Sequence, residues 1–203
     1  MSERWVPLDL TDCDPSPFAQ FATWFDAARE VVREREAITL VTASRDAKPS
    51  ARMVLLRHVD DATFGWFTNY DSRKGRELAQ NPYAALLWYC EPLGRQIRIE
   101  GEVAKMSAGD SDRYFASRPR GHQIGAHASA QSATLETRAQ LEGRVAELEA
   151  SFEGREVPRP ENWGGYALTP HTFEFWQHRE DRLHDRVSYR LVAKEWLLER
   201  LAP

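Results

Sequence analysis

Between Ala37 and Thr68 the chain alternates short β-rich runs with turn signals, and this spacing constrains the fold more than any other feature. The run AITLVTA from Ala37 to Ala43 is rich in apolar and β-branched residues, which suit a pleated, half-buried strand. Asp46 to Pro49 supply a turn, and Ser50 to His58 form a second strand. Asp60-Asp61 mark another turn before a third strand from Thr63 to Thr68. Loops this short leave no room for crossover helices, so the three strands are expected to pair as an antiparallel meander.

Helices are expected around this unit. Ser16-Pro17 has the form of an N-cap followed by proline in the first turn, where a missing N–H costs nothing. Phe18, Phe21, Phe25, Ala28 and Val32 then recur at helical spacing and predict one core-facing stripe. A short helix over Ser72–Gln80 ends at Asn81-Pro82, before a strand Tyr83–Glu91, a turn Pro92-Leu93-Gly94 and a long strand Arg95–Ala104. Ser107 with Asp110 resembles a capping box for a helix to about Ser117. Residues 118–132 (RPRGHQIGAHASAQS) have no clear periodicity. A further helix carries Leu141, Val145, Leu148 and Phe152 on one stripe, and Pro158 and Pro160 close it off. Strands return at Tyr166–Leu168, Thr172–Gln177, Arg182–Leu191 and Trp196–Arg200. With no repeat and no long linker, the expectation is one domain over 1–203. It is mainly β with flanking helices (α+β), an antiparallel β-barrel.

Composition narrows the function. Of 203 residues, 42% are hydrophobic and 29% charged, which suits a folded globular domain rather than a disordered one. The net charge of −4 argues against a nucleic-acid surface. No apolar run approaches the roughly 20 residues of a membrane span, and MSERWVPLDL lacks the order of a signal peptide. A cytoplasmic location is the expectation. Cys13 and Cys90 form neither a metal-ligand nor a redox spacing, and they exclude a disulfide framework.

The most informative local feature is Asp71-Ser72-Arg73-Lys74. Ser72 is a good N-cap, yet two cations occupy the first turn, where the helix dipole already contributes positive charge. A bound phosphate resolves that conflict; a solvated surface pair on a short helix explains the same residues. Thr68-Asn69 just before it adds donors. Arg52 and Arg57 flank Met53-Val54-Leu55-Leu56, so by alternation each shares a strand face with apolar residues, as a ligand-lining arginine does. Snorkelling from the strand ends is the plainer reading. Arg118-Pro119-Arg120 is another rigidly placed cationic pair, and Arg182, His184 and Arg186 alternate and are expected on one strand face. Such a face calls for a neutralising anion or for acidic neighbours such as Asp181.

Other chemistries find no motif. There is no GxSxG elbow, GxxxxGK[ST] loop or GxGxxG turn, and the histidines lack HExxH-type spacing, so no metal site is expected. The seven tryptophans, Trp163 and Trp176 among them, are most simply core, although one at a strand end could cover a flat ring. The residues alone therefore reach an antiparallel barrel with cationic anchors for a phosphorylated ligand.

Taken in order, these segments resemble the pyridoxine/pyridoxamine 5′-phosphate oxidase family. The resemblance rests on Arg52 to Arg57, Thr68-Asn69, Ser72-Arg73-Lys74, Arg95-Gln96, Tyr114-Phe115, Ser117-Arg118-Pro119-Arg120 and Gln131-Ser132. It continues through Trp163-Gly164-Gly165, Phe175-Trp176, Arg182-Leu183-His184-Asp185-Arg186 and Arg200-Leu201-Ala202-Pro203. It implies an FMN-binding split barrel, a homodimer with sites across the interface, and a dimerisation and substrate segment from about 163 to 203.

By this resemblance, Arg52, Ser72, Arg73 and Lys74 would hold the FMN phosphate. Val54, Leu55, Phe67 and Thr68 would line the flavin, with Gln96 nearby, and the other subunit would supply Gln131, Ser132, Trp176 and Arg186. Arg57, Tyr114, Arg118 and His122 would hold the substrate phosphate, with Arg182 and His184 as catalytic residues over the pyridine ring. The implied reaction oxidises pyridoxamine or pyridoxine 5′-phosphate with oxygen, giving hydrogen peroxide. Arg57 stands where the family usually has Lys, His122 where it usually has Ser, and the segment before Asp9 is short. An oxidase of a phenazine precursor is the alternative that an altered pocket would fit, and a flavin-storage protein is a third.

Overall fold

The computed structural model describes residues 6–203. Its strands are β1 (Ala37–Ala43), β2 (Pro49–Leu55), β3 (His58–Val59), β4 (Phe64–Asn69), β5 (Tyr83–Cys90), β6 (Arg95–Lys105), β7 (Trp163–Gln177), β8 (Asp185–Val192) and β9 (Glu195–Leu201). Its helices are α1 (Pro17–Ala27), α2 (Arg73–Gln80), α3 (Ala108–Ser117), α4 (Arg120–Ala128) and α5 (Arg138–Ser151). All strand pairs are antiparallel, in the order β2-β1-β5-β6-β7-β4-β3, with β8 and β9 added beyond β7.

The expected meander forms only in part. β1 and β2 pair as a hairpin, but β4 pairs with β3 and β7 rather than continuing from β2. The chain crosses from one sheet end to the other at Leu56-Arg57. There Leu56 N–H donates to Glu36 O on the β1 side (2.8 Å) and Arg57 N–H to Gly65 O on the β4 side (2.9 Å). Successive amides of an extended chain point to opposite sides, so two residues suffice to join the ends and curl the sheet into a barrel.

Alternation fills that barrel. Ile38 and Leu40 of β1, Leu86 and Trp88 of β5, Ile97 and Ile99 of β6, and Phe173 and Phe175 of β7 are all buried. Ser16 caps α1 as expected, its hydroxyl accepting from Ala19 N–H. That helix seals the barrel with Phe21 and Trp24, the latter edge-on to Phe175. It ends at Ala27, so Val32 lies past the helix that its spacing suggested.

Three further expectations are corrected. The segment 118–132 contains α4, whose Ile124 and Ala128 are buried one turn apart. Two apolar positions among Gly, His and Gln were too few to stand out as a period. Two predicted strands, Tyr166–Leu168 and Thr172–Gln177, are one strand, β7. Its irregularity at Pro170 is absorbed by a register shift opposite Glu100 and Gly101. A bulge tolerates proline's missing N–H, and Gly101 makes room for it, since a Cβ there would lie 2.2 Å from Thr169 O. Finally, the strand expected from Arg182 begins at Asp185. Glu180–Arg182 form a short 3-10 turn in which Asp181 (φ 56°) and Arg182 (φ 61°) are left-handed. Arg182 and His184 therefore do not share a strand face with Arg186.

Candidate active site

Two clusters of polar side chains lie at opposite ends of β7. The first begins where β4 runs into α2. The Ser72 hydroxyl is fully buried, accepting from Gly75 N–H (3.3 Å) and donating to Asn69 O (2.7 Å). That cap turns Lys74 inward, where its Nζ donates to Thr68 Oγ1 (3.0 Å), Ser72 Oγ (3.3 Å) and Gln131 Oε1 (2.6 Å). Arg73 N–H donates to Ser132 Oγ (3.1 Å). Burial, with Arg52 nearby, pulls the Lys74 ammonium down to about 8. Gln131 and Ser132 thus meet the first cluster within one chain, which corrects the expectation that a second subunit supplies them.

Arg52 projects inward from β2. Its Nη1 donates to Thr42 Oγ1 (2.6 Å) and Leu40 O (3.2 Å), and its Nη2 to Ser50 Oγ (2.5 Å) and Glu77 Oε2 (3.4 Å). Both terminal nitrogens are therefore engaged, and what Arg52 brings to the cavity it lines is chiefly its charge.

Above these groups opens a cavity of about 540 Å³, lined by Arg52, Val54, Leu55, Arg57, Phe67, Thr68, Lys74, Tyr114, Arg118, His122, Gln131 and Trp163. One wall is aromatic: Phe67 stacks on Tyr114 with centroids 3.9 Å apart, and Trp163 is nearly parallel to both. Gly164 lets β7 approach that closely, because a Cβ there would lie 2.1 Å from Tyr70 Oη. Arg118 lies over the Trp163 ring at 4.6 Å. Its Nη1 is buried without a hydrogen-bond partner, which for an always-charged group suits an anionic ligand.

The second cluster sits at the far end of β7. Trp176 pairs with Gln96 of β6 on one side and Arg186 of β8 on the other. Arg186 Nε donates to Glu174 Oε1 (2.8 Å), a carboxylate only 3% exposed whose other oxygen pairs with Arg98 (2.7 Å). A groove of about 740 Å³ beside Trp176 is lined by His178, Arg182 and His184. His184 Nδ1 accepts from Arg179 N–H (3.1 Å), so its neutral form carries the proton on Nε2. Burial, then His178 and Arg182, hold the imidazole below its ordinary pKa. Gln96, expected beside the first group, belongs here.

Trp163 and Trp176 are 13 steps apart along β7, roughly 40 Å of extended chain. Glu77, Glu174, Thr42 and Ser50 belong to these clusters and were not anticipated. The available signals were the i,i+4 spacing of Arg73 and Glu77, and a lone charge between Phe173 and Phe175.

The comparisons with known proteins agree over nearly the whole chain. Residues 25–152 match the model described as pyridoxamine 5′-phosphate oxidase, and residues 163–203 match the pyridoxine 5′-phosphate oxidase C-terminal dimerisation region. A pyridoxine/pyridoxamine 5′-phosphate oxidase of Cyanothece sp. is 54% identical, covering 98% of this chain and 94% of that protein. One from Burkholderia thailandensis is 53% identical, covering 97% and 93%. Among solved structures, PhzG from Burkholderia lata, in complex with tetrahydrophenazine-1-carboxylic acid, superposes with a TM-score of 0.92 at 33% identity, covering 98% and 100%. An FMN-binding protein from Nostoc punctiforme shares the fold, with a TM-score of 0.73 at 18% identity over 95% and 99%. Family models that span most of the sequence and relatives above half identity agree with the curled antiparallel barrel, and the chain belongs to the pyridoxamine 5′-phosphate oxidase family.

Proposed function

We propose that this protein is an FMN-dependent oxidase that converts pyridoxamine or pyridoxine 5′-phosphate to pyridoxal 5′-phosphate, reducing oxygen to hydrogen peroxide. The carrying observation is that one cavity offers two sets of anion-suited groups, Lys74 with Thr68 and Arg52 from β2, β4 and α2, and Arg118 with Arg57 and His122 from the β2–β3 link and the α3–α4 region. Two phosphate monoesters, one on the cofactor and one on the substrate, match that pairing.

The donors at the base fit a single phosphate. Lys74 and the Thr68 and Ser132 hydroxyls can turn a proton toward it and Gln131 can present its amide, while Ser72, its own proton held by Asn69 O, would serve by fixing the start of α2. Val54, Leu55 and Phe67 would shape the walls for a flat ring system. When bound, the flavin would supply the redox chemistry, as hydride acceptor for the substrate carbon and as the group that oxygen reoxidises. Tyr114, Arg57, Arg118 and His122 would bind the substrate phosphate and so fix the distance of the pyridine ring from the flavin. His184 and Arg182 would orient that ring, with neutral His184 presenting Nε2–H.

Gln96, Trp176, Arg186, Arg182 and His184 lie at the other end of β7, so a single chain cannot bring them to its own first cluster. We infer a homodimer in which each site joins the first cluster of one chain to the second cluster of its partner, consistent with the dimerisation region matched at 163–203. The relatives bearing the oxidase name are 53–54% identical against 33% for the phenazine-ligand protein, which favours the B6 substrate. The test is the visible spectrum of the purified protein under anaerobic conditions. Bleaching of the flavin bands on adding pyridoxamine 5′-phosphate is expected, and an unchanged spectrum would overturn the substrate assignment. Released cofactor should chromatograph as FMN.

A further inference from the structure

Glu77 is a buried carboxylate that the proposed chemistry does not use. It lies one turn beyond Arg73 on α2 and is 7% exposed. Its Oε2 accepts from the Thr42 hydroxyl (2.5 Å) and the Ser50 hydroxyl (2.6 Å), with Arg52 Nη2 at 3.4 Å. Its Oε1 accepts from Arg73 Nε at 2.9 Å. The two oxygens of one rigid group therefore address two different arginines, and the hydroxyls tie that group to β1 and β2.

We propose that Glu77 is a positioning residue, which holds the Arg52 and Arg73 guanidinium groups in place around the base of the cavity so that a phosphate meets them already oriented. This rests on the reading of that cluster as a flavin-phosphate clamp.

Charge supports the assignment. Arg52, Arg73 and Lys74 converge on one region, with Lys74 buried, Arg52 partly buried and Arg73 exposed at the edge, and taking the first two out of water without an anion is costly. Glu77 pairs with both arginines but not with Lys74, whose three contacts are neutral oxygens. With Lys74 protonated, three positive charges against one negative leave a surplus of two. That surplus matches a phosphate of charge about −1.5 to −2 near neutral pH. Burial raises the Glu77 carboxyl, but hydrogen bonds from Ser50, Thr42 and Arg73 outweigh it and bring the group down to about 2. Glu77 thus stays ionised over the working range.

A plainer role is available, in which Glu77 merely docks α2 onto the sheet. Comparing FMN with riboflavin separates the two, because riboflavin has the same ring and ribityl chain but no phosphate. The full-length chain, dialysed free of flavin, is titrated with each compound by flavin fluorescence. The parent should prefer FMN by well over tenfold; no preference would remove the clamp reading itself, and this inference with it. Given that preference, Glu77→Ala should weaken FMN about tenfold or more, the scale of a charge-assisted contact, and leave riboflavin within about twofold. Glu77→Gln should fall between Ala and the parent, since its amide oxygen still accepts from one arginine.

Equal weakening of both flavins would assign Glu77 to docking alone. Unchanged or tighter FMN binding would mean that its charge simply opposes the phosphate. If the Ala variant does not fold, the Gln variant carries the same comparison, and failure of both to fold overturns the positioning role in favour of docking.

Discussion

Lys74 Nζ donates to Gln131 Oε1 at 2.6 Å, joining the first turn of α2 to a residue 57 positions later in the chain. Gln131 Oε1 also accepts from the Thr68 hydroxyl at 3.0 Å, so one amide oxygen closes the base of the cavity. The ammonium is thereby buried among neutral acceptors, with Arg52 the nearby charge that destabilises its protonated form. In the proposed clamp, a phosphate would supply the countercharge that these acceptors lack.

The first prediction concerns pH. Lys74 titrates near 8 in the flavin-free chain, below its ordinary 10.5. Below about pH 8 the ammonium is charged, and FMN should bind at full strength. Above it, binding must first reprotonate the amine, so affinity should fall by up to roughly tenfold per pH unit until the ordinary lysine range is reached. Flavin titrations from pH 6 to 10 should show this break. In Lys74→Ala the break should vanish, and affinity at pH 7 should drop by roughly 1.5–3 kcal/mol.

A second prediction tests the composite site. Arg118→Ala and Arg182→Ala should each be nearly inactive alone. In a mixed dimer both defects fall in one site and the other site is intact. Random pairing of co-expressed chains should therefore restore roughly a quarter of parental activity. No restoration above the separate variants would place both residues in a site within one chain.

His122 gives a third. It lines the cavity beside Arg57 and Arg118, where its ring N–H can donate to a substrate phosphate. His122→Ser should raise KM severalfold while Arg57 and Arg118 keep the residual affinity. Little change in kcat is expected, because a remote anchor contributes uniform binding. A large loss of kcat at constant KM would put His122 at the chemistry instead.

The fourth is structural. A methyl at Gly164 would lie 2.1 Å from Tyr70 Oη and 2.8 Å from Ser111 Oγ, both held in packed surroundings. Gly164→Ala should cost about 1–3 kcal/mol, the scale of core overpacking, read as a lower urea midpoint at constant m-value. Because the shift pushes β7 away from Phe67 and Tyr114, flavin affinity should fall too.

Local pattern determined much of this protein. The β1 run AITLVTA, the Ser16-Pro17 start of α1, the Ser72 and Ser107 caps and the turn at 92–94 each depend on side chains within a few residues of one another. Such preferences act over short range and are legible in one dimension. The ordered motifs likewise carried the family, since residue type and spacing suffice for that. Tertiary structure decided the rest. Whether β2 continued a meander or crossed to close the barrel depended on which edge accepted the amides of Leu56 and Arg57. Gln131 joined Lys74 rather than the Trp176 cluster because α3 and α4 return the chain over β4, a path that no local period encodes. Glu77 reads in sequence as one more charge on a short helix. Only the packing of α2 against β1 and β2 buries it between two arginines, where low dielectric and fixed hydrogen bonds turn an ordinary carboxylate into part of the site.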